Sequence, residues 1–200
     1  MKTNKKSTFG ALLIGLFVLA VFYIYINIPV RLFGAQIDPP KAMPQFSLPG
    51  ANGQVSLADQ HGKLVVLFFG YTSCPDVCPL TMANLREAFT LLSPAQANQV
   101  QVIFVSVDWK RDTAASVAKY ANIFNPGFIG LTGSQAQIDQ ITQDYGVFYK
   151  MNEPGDNGFY SVEHTATSMI LDREGRLVAL WNYGTSASQM AADLKVLLQR

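Results

Sequence analysis

The fold of this chain is decided by residues 64–79, which read LVVLFFGYTSCPDVCP. The first eight of them are uniformly apolar, as is typical of a β-strand that is buried on both faces of a sheet. Pro79 suits the first turn of a helix, because its fixed backbone angle matches the helix and its missing N–H needs no partner there. We therefore predict a buried strand over 64–71, a short turn that carries both cysteines, and a helix that runs to about Leu92.

The rest of the chain continues this alternation of strands and helices. Residues 100–107, VQVIFVSV, are a second, mainly apolar run and predict another buried strand. Asp112 suits the cap of the helix that follows it, and Gly146 suits the end of a later helix. Further helices are predicted at 113–124, 134–145 and 186–198, extended segments at 128–131 and 147–151, and hairpins at 45–57 and 167–183. This order predicts a three-layer α/β sandwich.

The N-terminal part has the features of a membrane anchor. Residues 9–28 read FGALLIGLFVLAVFYIYINI and carry no charge, and twenty residues of helix rise about 30 Å, the thickness of a bilayer's hydrocarbon core. The lysines before this stretch favour a cytoplasmic N-terminus. A cleaved signal peptide is the alternative, but the apolar stretch exceeds the ~7–15 residues of such signals, and residues 32–35 make a poor cleavage site. The predicted division is a cytoplasmic tail (1–8), a transmembrane anchor (9–28), a proline-stiffened linker (29–43) and a domain outside the cytoplasm (44–200).

The charges of the chain argue against nucleic acid as a partner. Three of the 15 lysines and arginines precede the apolar stretch, which leaves 12 basic residues against 14 acidic ones in the rest of the chain. No run of basic residues appears there, whereas nucleic-acid-binding domains carry a basic patch or stripe.

Both cysteines of the chain, Cys74 and Cys78, lie in the predicted strand-to-helix turn. Unpaired N–H groups at a helix start lower the pKa of a nearby thiol and favour the thiolate, which is both the nucleophile and the metal ligand. A spacing of four residues can bring both sulfurs to one face, where they could form a disulfide or bind one metal ion. A purely structural disulfide would close a short loop and stabilise the fold little. The residues indicate redox or metal chemistry and leave the two open.

His164 is the candidate third ligand. It lies 86 residues after Cys78 and just before residues 167–171, a predicted core strand whose end should neighbour the cysteine turn. Two cysteines and a histidine form a soft donor set that suits Cu(I), and also suits copper or zinc with an added ligand. By itself, a loop histidine is more often an ordinary hydrogen-bonding residue. His61, in the turn 59–63, is expected to have only that role.

Residues 69–79, FGYTSCPDVCP, resemble the signature of the Sco/SenC family of thioredoxin-fold copper-binding proteins, which are involved in cytochrome c oxidase assembly. Three further segments agree with that family's pattern, and the resemblance covers roughly residues 46–198. They are SVD with RDT (106–108 and 111–113), GLTG (130–133) and YSVEHT (160–165).

The resemblance implies a thioredoxin-like fold and a copper site, for Cu(I), Cu(II) or both, with Cys74, Cys78 and His164 as ligands. Asp76 matches an acidic residue that lies close to the metal in that family. The implied partners are the copper-accepting subunit of a haem-copper oxidase and an upstream copper donor or thiol reductant. Such a chain is a metallochaperone rather than an enzyme in the strict sense, and its domain lies on the periplasmic or extracytoplasmic side.

The chain departs from the family pattern at a few positions. Trp109 stands where proline is usual, while Glu163 and Thr165 keep the chemical type of the residues they replace. The polar, glycine-containing segment 152–160 is expected to be mobile and to bring His164 toward the cysteines as metal binds.

An exported thiol–disulfide oxidoreductase, with Cys74 and Cys78 as its redox pair, is the alternative function. Thioredoxin-like reductases have two residues between their cysteines and a cis-proline before the core strand. This chain has three residues between its cysteines and His164 before that strand. Both functions need the cysteines, and only copper binding needs His164.

Overall fold

The computed structural model describes residues 16–19, 31–156 and 158–200. The predicted cytoplasmic tail lies outside these residues, and so does the predicted anchor apart from a helical segment at 16–19. Within the described ranges, no helix combines the length and the apolar character needed to cross a membrane. The chain divides into two compact units, and the strands and helices given below belong to the unit Leu32–Arg200.

The strands of this unit are β1 (Ala35–Ala42), β2 (Ser47–Gly50), β3 (Gly53–Ser56), β4 (Leu64–Gly70), β5 (Val100–Ser106), β6 (Ile129–Leu131), β7 (Tyr149–Met151), β8 (Val162–His164), β9 (Ser168–Leu171) and β10 (Arg176–Trp181). Six of them form the central sheet, in the order β1-β10-β9-β4-β5-β6. The helices are α1 (Val77–Thr90), α2 (Pro94–Ala97), α3 (Ala114–Phe124), α4 (Gln135–Tyr145) and α5 (Ala187–Leu197), with a 3-10 turn at Leu57–Gln60.

The two apolar runs of the sequence form the middle of the sheet. β4 is parallel to β5 and antiparallel to β9, and every residue of β4 and β5 is buried. Phe68 of β4 lies against Phe104 of β5 with ring centroids 5.9 Å apart, and both side chains are fully buried. Burial of an aromatic side chain of this size contributes about 1.5–3 kcal/mol to stability. The predicted α/β sandwich is confirmed, and a rigid core lies directly beneath the cysteine turn.

The segment predicted as a linker, 29–43, contains a strand instead. β1 pairs antiparallel with β10, and its register shifts between Gln36 and Lys41, where two prolines stand. A proline lacks an N–H and is therefore tolerated on an edge strand, which is why the prolines misled the sequence prediction. The chain before β1 is also fixed, because the buried Asp193 carboxylate accepts hydrogen bonds from the N–H groups of Phe33 (2.8 Å) and Gly34 (2.9 Å).

The helix boundaries follow from local capping. The Thr113 side chain accepts a hydrogen bond from the Ser116 N–H and caps α3, so the prediction of Asp112 as that cap was wrong. A carboxylate and a hydroxyl are both good caps, and sequence alone could not choose between neighbours. Gly146 has φ +66° and ends α4, as predicted.

Candidate metal centre

The cysteine turn lies at the carboxyl end of the central strand β4. Cys78 is in the first turn of α1 and fully buried, whereas Cys74, four residues earlier, is half-buried. A side chain at Gly70 would put its Cβ 2.7 Å from Cys78 Sγ and 2.8 Å from Phe104 Cε2. Glycine at the end of β4 therefore makes the space in which the Cys78 sulfur lies.

His164, at the end of β8, faces the cysteine turn as the sequence predicted. Its Nε2 is 3.4 Å from Cys78 Sγ, and the ligand atoms of Cys74, Cys78 and His164 all lie within 4.8 Å of one another. The other ring nitrogen, Nδ1, lies 3.1 Å from the carbonyl oxygen of Thr165. A carbonyl oxygen only accepts hydrogen bonds, so Nδ1 carries the proton and Nε2 presents its lone pair to the sulfurs. This is the tautomer that a metal ligand needs.

Two aromatic rings hold the imidazole in this orientation. Tyr71 meets the His164 ring edge to face, with centroids 5.9 Å apart and an interplanar angle of 86°. Phe68 lies on another side with its centroid at 6.2 Å. The ring is therefore packed against the core rather than free in solvent.

The two thiols have different acidities. Hydrogen bonding from the Cys78 thiol, followed by the backbone N–H groups of Cys78 and Asp76, lowers the pKa of Cys74 to about 5 despite partial burial. The Cys78 N–H lies 3.4 Å from Cys74 Sγ, which is the helix-start effect predicted from the sequence. The hydrogen bond to Cys74, together with burial, raises the pKa of Cys78. At neutral pH the pair therefore holds one thiolate and one thiol, and no disulfide joins the two cysteines in this structure.

A groove of about 290 Å³ reaches Cys74 and His164, and Cys78 lies buried beside them. The exposed acids Asp76 and Glu163 lie along it together with Cys74 and His164. Asp76 precedes α1 but makes no capping hydrogen bond with its side chain, which leaves its carboxylate to the groove. Asp76 is thus beside the site, as the family resemblance implied.

Asp112 holds the cysteine turn in place, a role that sequence reasoning missed. This buried carboxylate accepts hydrogen bonds from the Thr72 N–H (2.9 Å), the Thr72 hydroxyl (2.5 Å) and the Ser106 hydroxyl (2.5 Å). It thereby ties the residue two before Cys74 to the end of β5. The only sequence signal was its place in the RDT segment just after a buried strand.

Three other residues singled out in the sequence, His61, Trp109 and Thr165, are not among the three candidate ligands. His61 Nε2 would be 3.7 Å from a Cβ at Gly175, which places His61 beside the β9–β10 turn rather than at the site. Trp109 is half-buried, and the Lys110 ammonium lies 5.3 Å from its ring centroid. The Thr165 hydroxyl accepts a hydrogen bond from the Phe148 N–H (3.0 Å) and supports the strand that carries His164.

This domain has two cysteines at a strand-to-helix turn, and a histidine just before a core strand faces them. These features are those of a thioredoxin-like protein with a candidate metal site in the usual position of a redox pair. The sequence profile of the SCO1/SenC family matches residues 34–199. The chain belongs to that family, as the resemblance of its motifs indicated.

Relatives support the same assignment. An SCO2-like protein of Rickettsia felis is 31% identical over 160 residues, which cover 79% of this chain and 78% of the relative. The apo Sco1 protein of Thermus thermophilus is 41% identical in sequence, with a TM-score of 0.77 over 84% of this chain and 97% of that one. ScoI of Bradyrhizobium japonicum, solved with copper bound, is 37% identical, with a TM-score of 0.71 over 78% of this chain and 99% of that one. The thioredoxin-like fold is thereby confirmed.

Proposed function

We propose that this chain is a copper metallochaperone that binds one copper ion through Cys74, Cys78 and His164. In this proposal it supports the assembly of the dinuclear copper site of a cytochrome c oxidase. The observation that carries it is the convergence of two sulfurs and an imidazole nitrogen within 4.8 Å at the end of a buried strand. A copper-bound relative of the same family adds support.

The donor set favours copper over zinc. Structural zinc sites have four protein ligands in nearly all cases, whereas soft thiolates with one imidazole suit Cu(I) at low coordination number. Among the described residues, the cluster of potential metal ligands at this turn has three members. The exposed carboxylate of Asp76 lies beside the groove and is placed to affect the entry or release of a cation.

The unequal cysteines suggest an order of binding. The Cys74 thiolate, half-buried and with a pKa lowered to about 5, is the first sulfur available to copper. The buried Cys78 thiol loses its proton as the metal enters, and His164 Nε2 closes the site. Release to an acceptor would follow the reverse order and begin at His164, which lines the groove.

The setting is also part of the proposal. We place the domain on the periplasmic or extracytoplasmic side, held by the predicted anchor at residues 9–28 with the N-terminus in the cytoplasm. Its partners would be the copper-accepting subunit of the oxidase and an upstream copper donor or thiol reductant. An acceptor that meets copper outside the cytoplasm requires a chaperone tethered on the same side.

A second candidate function, an exported thiol–disulfide oxidoreductase, is favoured by the low pKa of Cys74. In that reaction the Cys74 thiolate attacks a substrate disulfide, forms a mixed disulfide and expels one substrate thiolate. Cys78 then attacks Cys74, which releases the second substrate thiolate and leaves a Cys74–Cys78 disulfide. The half-buried Cys74 would be the attacking residue and the buried Cys78 the resolving residue, and His164 takes no covalent part.

The experiment that tests the proposed function is an anaerobic Cu(I) titration of the reduced protein in the presence of a competing chelator. We expect one equivalent of Cu(I) for the wild type and much weaker binding for Cys74→Ser and Cys78→Ser. A His61→Ala variant is the matched control, because that histidine lies away from the site, and it should bind as the wild type does. A wild-type protein that takes up no copper would refute the metal site.

A further inference from the structure

The strand that carries His164 is not part of the main sheet. β8 pairs with β7 in a separate two-stranded ladder of three residue pairs, which ends at the pair Tyr149 and His164. On the C-terminal side, the Thr165 N–H bonds to the residue before β7 (3.0 Å), and the buried Ser168 begins β9. On the N-terminal side stands the long polar segment 152–161. The position of His164 therefore depends on two supports, Thr165 on one side and whatever holds the end of that segment on the other.

Three contacts hold Tyr160 at that end, two from Arg111 and one from Asp108. The Arg111 Nη1 group donates a hydrogen bond to the Tyr160 carbonyl oxygen (2.8 Å), and the guanidinium carbon lies 3.6 Å from the centroid of the Tyr160 ring. Such stacking of a guanidinium on an aromatic face is favourable. The Tyr160 hydroxyl donates to Asp108 Oδ1 (2.7 Å). Backbone, ring and hydroxyl of one residue are thus all bound, four positions before His164.

Asp108 fixes the arginine that makes these contacts. Its carboxylate has no exposure, and its Oδ2 accepts a hydrogen bond from Arg111 Nε at 2.5 Å. Asp108 is buried two residues after the end of β5, so the clamp of Asp108, Arg111 and Tyr160 is built on the core. The Arg111 Nη2 group is buried without a hydrogen-bond partner among the described residues. A buried donor without a partner destabilises the fold, so the arginine is better explained by its effect on Tyr160 than by a gain in stability.

We propose that Arg111 is a positioning residue that holds Tyr160. It thereby keeps His164 Nε2 close enough to the two sulfurs for all three atoms to bind one metal ion. The inference rests on the proposed copper function. Its consequence is a preference in oxidation state, since two thiolates alone suit Cu(I), whereas Cu(II) binds well to imidazole nitrogen. A loosened His164 strand therefore weakens Cu(II) binding more than Cu(I) binding.

The test compares Arg111→Lys and Tyr160→Phe with the wild type in the full chain in detergent. Lysine keeps the charge but lacks the planar fork, and phenylalanine keeps the ring but lacks the hydroxyl bound to Asp108. Arg176→Lys is the matched control, because Arg176 donates to Asp172 (2.7 Å) at the β9–β10 turn, at the opposite end of β9 from the site. Two readouts are measured: hydrogen–deuterium exchange of peptides within 158–168 without metal, and dissociation constants for Cu(I) and Cu(II).

We expect faster exchange in these peptides for Arg111→Lys, with the rest of the domain unchanged. The Cu(II) dissociation constant should rise about 10–100-fold, the range seen when a residue that orients a metal ligand is changed. The Cu(I) constant should rise much less, the effect of Tyr160→Phe should be smaller, and Arg176→Lys should match the wild type.

Unchanged exchange together with Cu(II) affinity within twofold of the wild type would overturn the inference. Equal losses for Cu(I) and Cu(II) with unchanged exchange would also overturn it, since they would indicate a role other than positioning His164. A wild type that binds no copper refutes the proposed function instead, and the exchange data then decide alone whether the clamp holds the strand.

Discussion

The substitution Gly70→Ala tests the packing on which the proposed metal centre depends. The added methyl group would lie 2.7 Å from Cys78 Sγ and 2.8 Å from Phe104 Cε2, and both distances are too short for carbon contacts. Phe104 is fully buried in β5 and cannot move aside, so the cysteine side chain must rotate or the start of α1 must shift. Overpacking of this kind destabilises a core by about 1–3 kcal/mol.

The expected effect of Gly70→Ala is large enough to measure in two assays. For a domain of this size, about 1 kcal/mol lowers the melting temperature by roughly 2–4 °C, so we expect a fall of about 2–12 °C. Cu(I) affinity should also fall, because a rotated Cys78 leaves the 3.4 Å contact with His164. Gly127→Ala is the control, since a Cβ there meets only Asn125 Oδ1 at 3.3 Å. A Gly70→Ala protein with wild-type melting temperature and wild-type copper affinity would refute the reasoning.

Three further predictions concern the thiols, the turn and the topology. Because the pKa of Cys74 is lowered to about 5, the rate of its alkylation by iodoacetamide should be half-maximal near pH 5 and constant above about pH 6. A rate that rises around pH 8.5, as for a free cysteine, would contradict this. Asp112→Ala should lower the free energy of unfolding by about 1–3 kcal/mol in urea denaturation, because two hydroxyls and one N–H lose their acceptor. An unchanged urea midpoint would be inconsistent with Asp112 holding the cysteine turn in place. A periplasmic reporter enzyme fused after Arg200 should be active only outside the cytoplasm, so activity inside would exclude the proposed orientation.

Much of the fold could be predicted because its signals are local. The mainly apolar runs that form β4 and β5 are buried along their whole length, and Gly146 ends its helix as expected. β1 was missed because its prolines are typical of a linker, and only its pairing with β10 makes it a strand. Pairing between segments more than 130 residues apart leaves no mark on either segment.

The candidate site divides in the same way. Cys74 and Cys78 are four residues apart, and the turn that leads into α1 brings them together. The place of His164 just before a core strand predicted that it lies near this turn, but its assignment as a candidate ligand, 3.4 Å from Cys78, required the family resemblance. The predicted closing movement of residues 152–160 is not needed to bring this histidine to the sulfurs, since the structure has it there already. Asp112 and Arg111 act through residues 40 and 49 positions away, so their roles appear only in three dimensions.

In the proposed function, this chain supports oxidase assembly through copper bound by all three residues, and not through thiol exchange alone. The most direct measurement is cytochrome c oxidase activity in cells that carry His164→Ala in place of the wild-type chain, at ordinary copper concentration and with equal protein levels. Copper delivery predicts that this strain loses oxidase activity as severely as a Cys74→Ala strain, while its Cys74–Cys78 disulfide still forms and can be reduced. Full oxidase activity in the His164→Ala strain, beside a defective Cys74→Ala strain, would contradict the account and favour a thiol–disulfide exchanger.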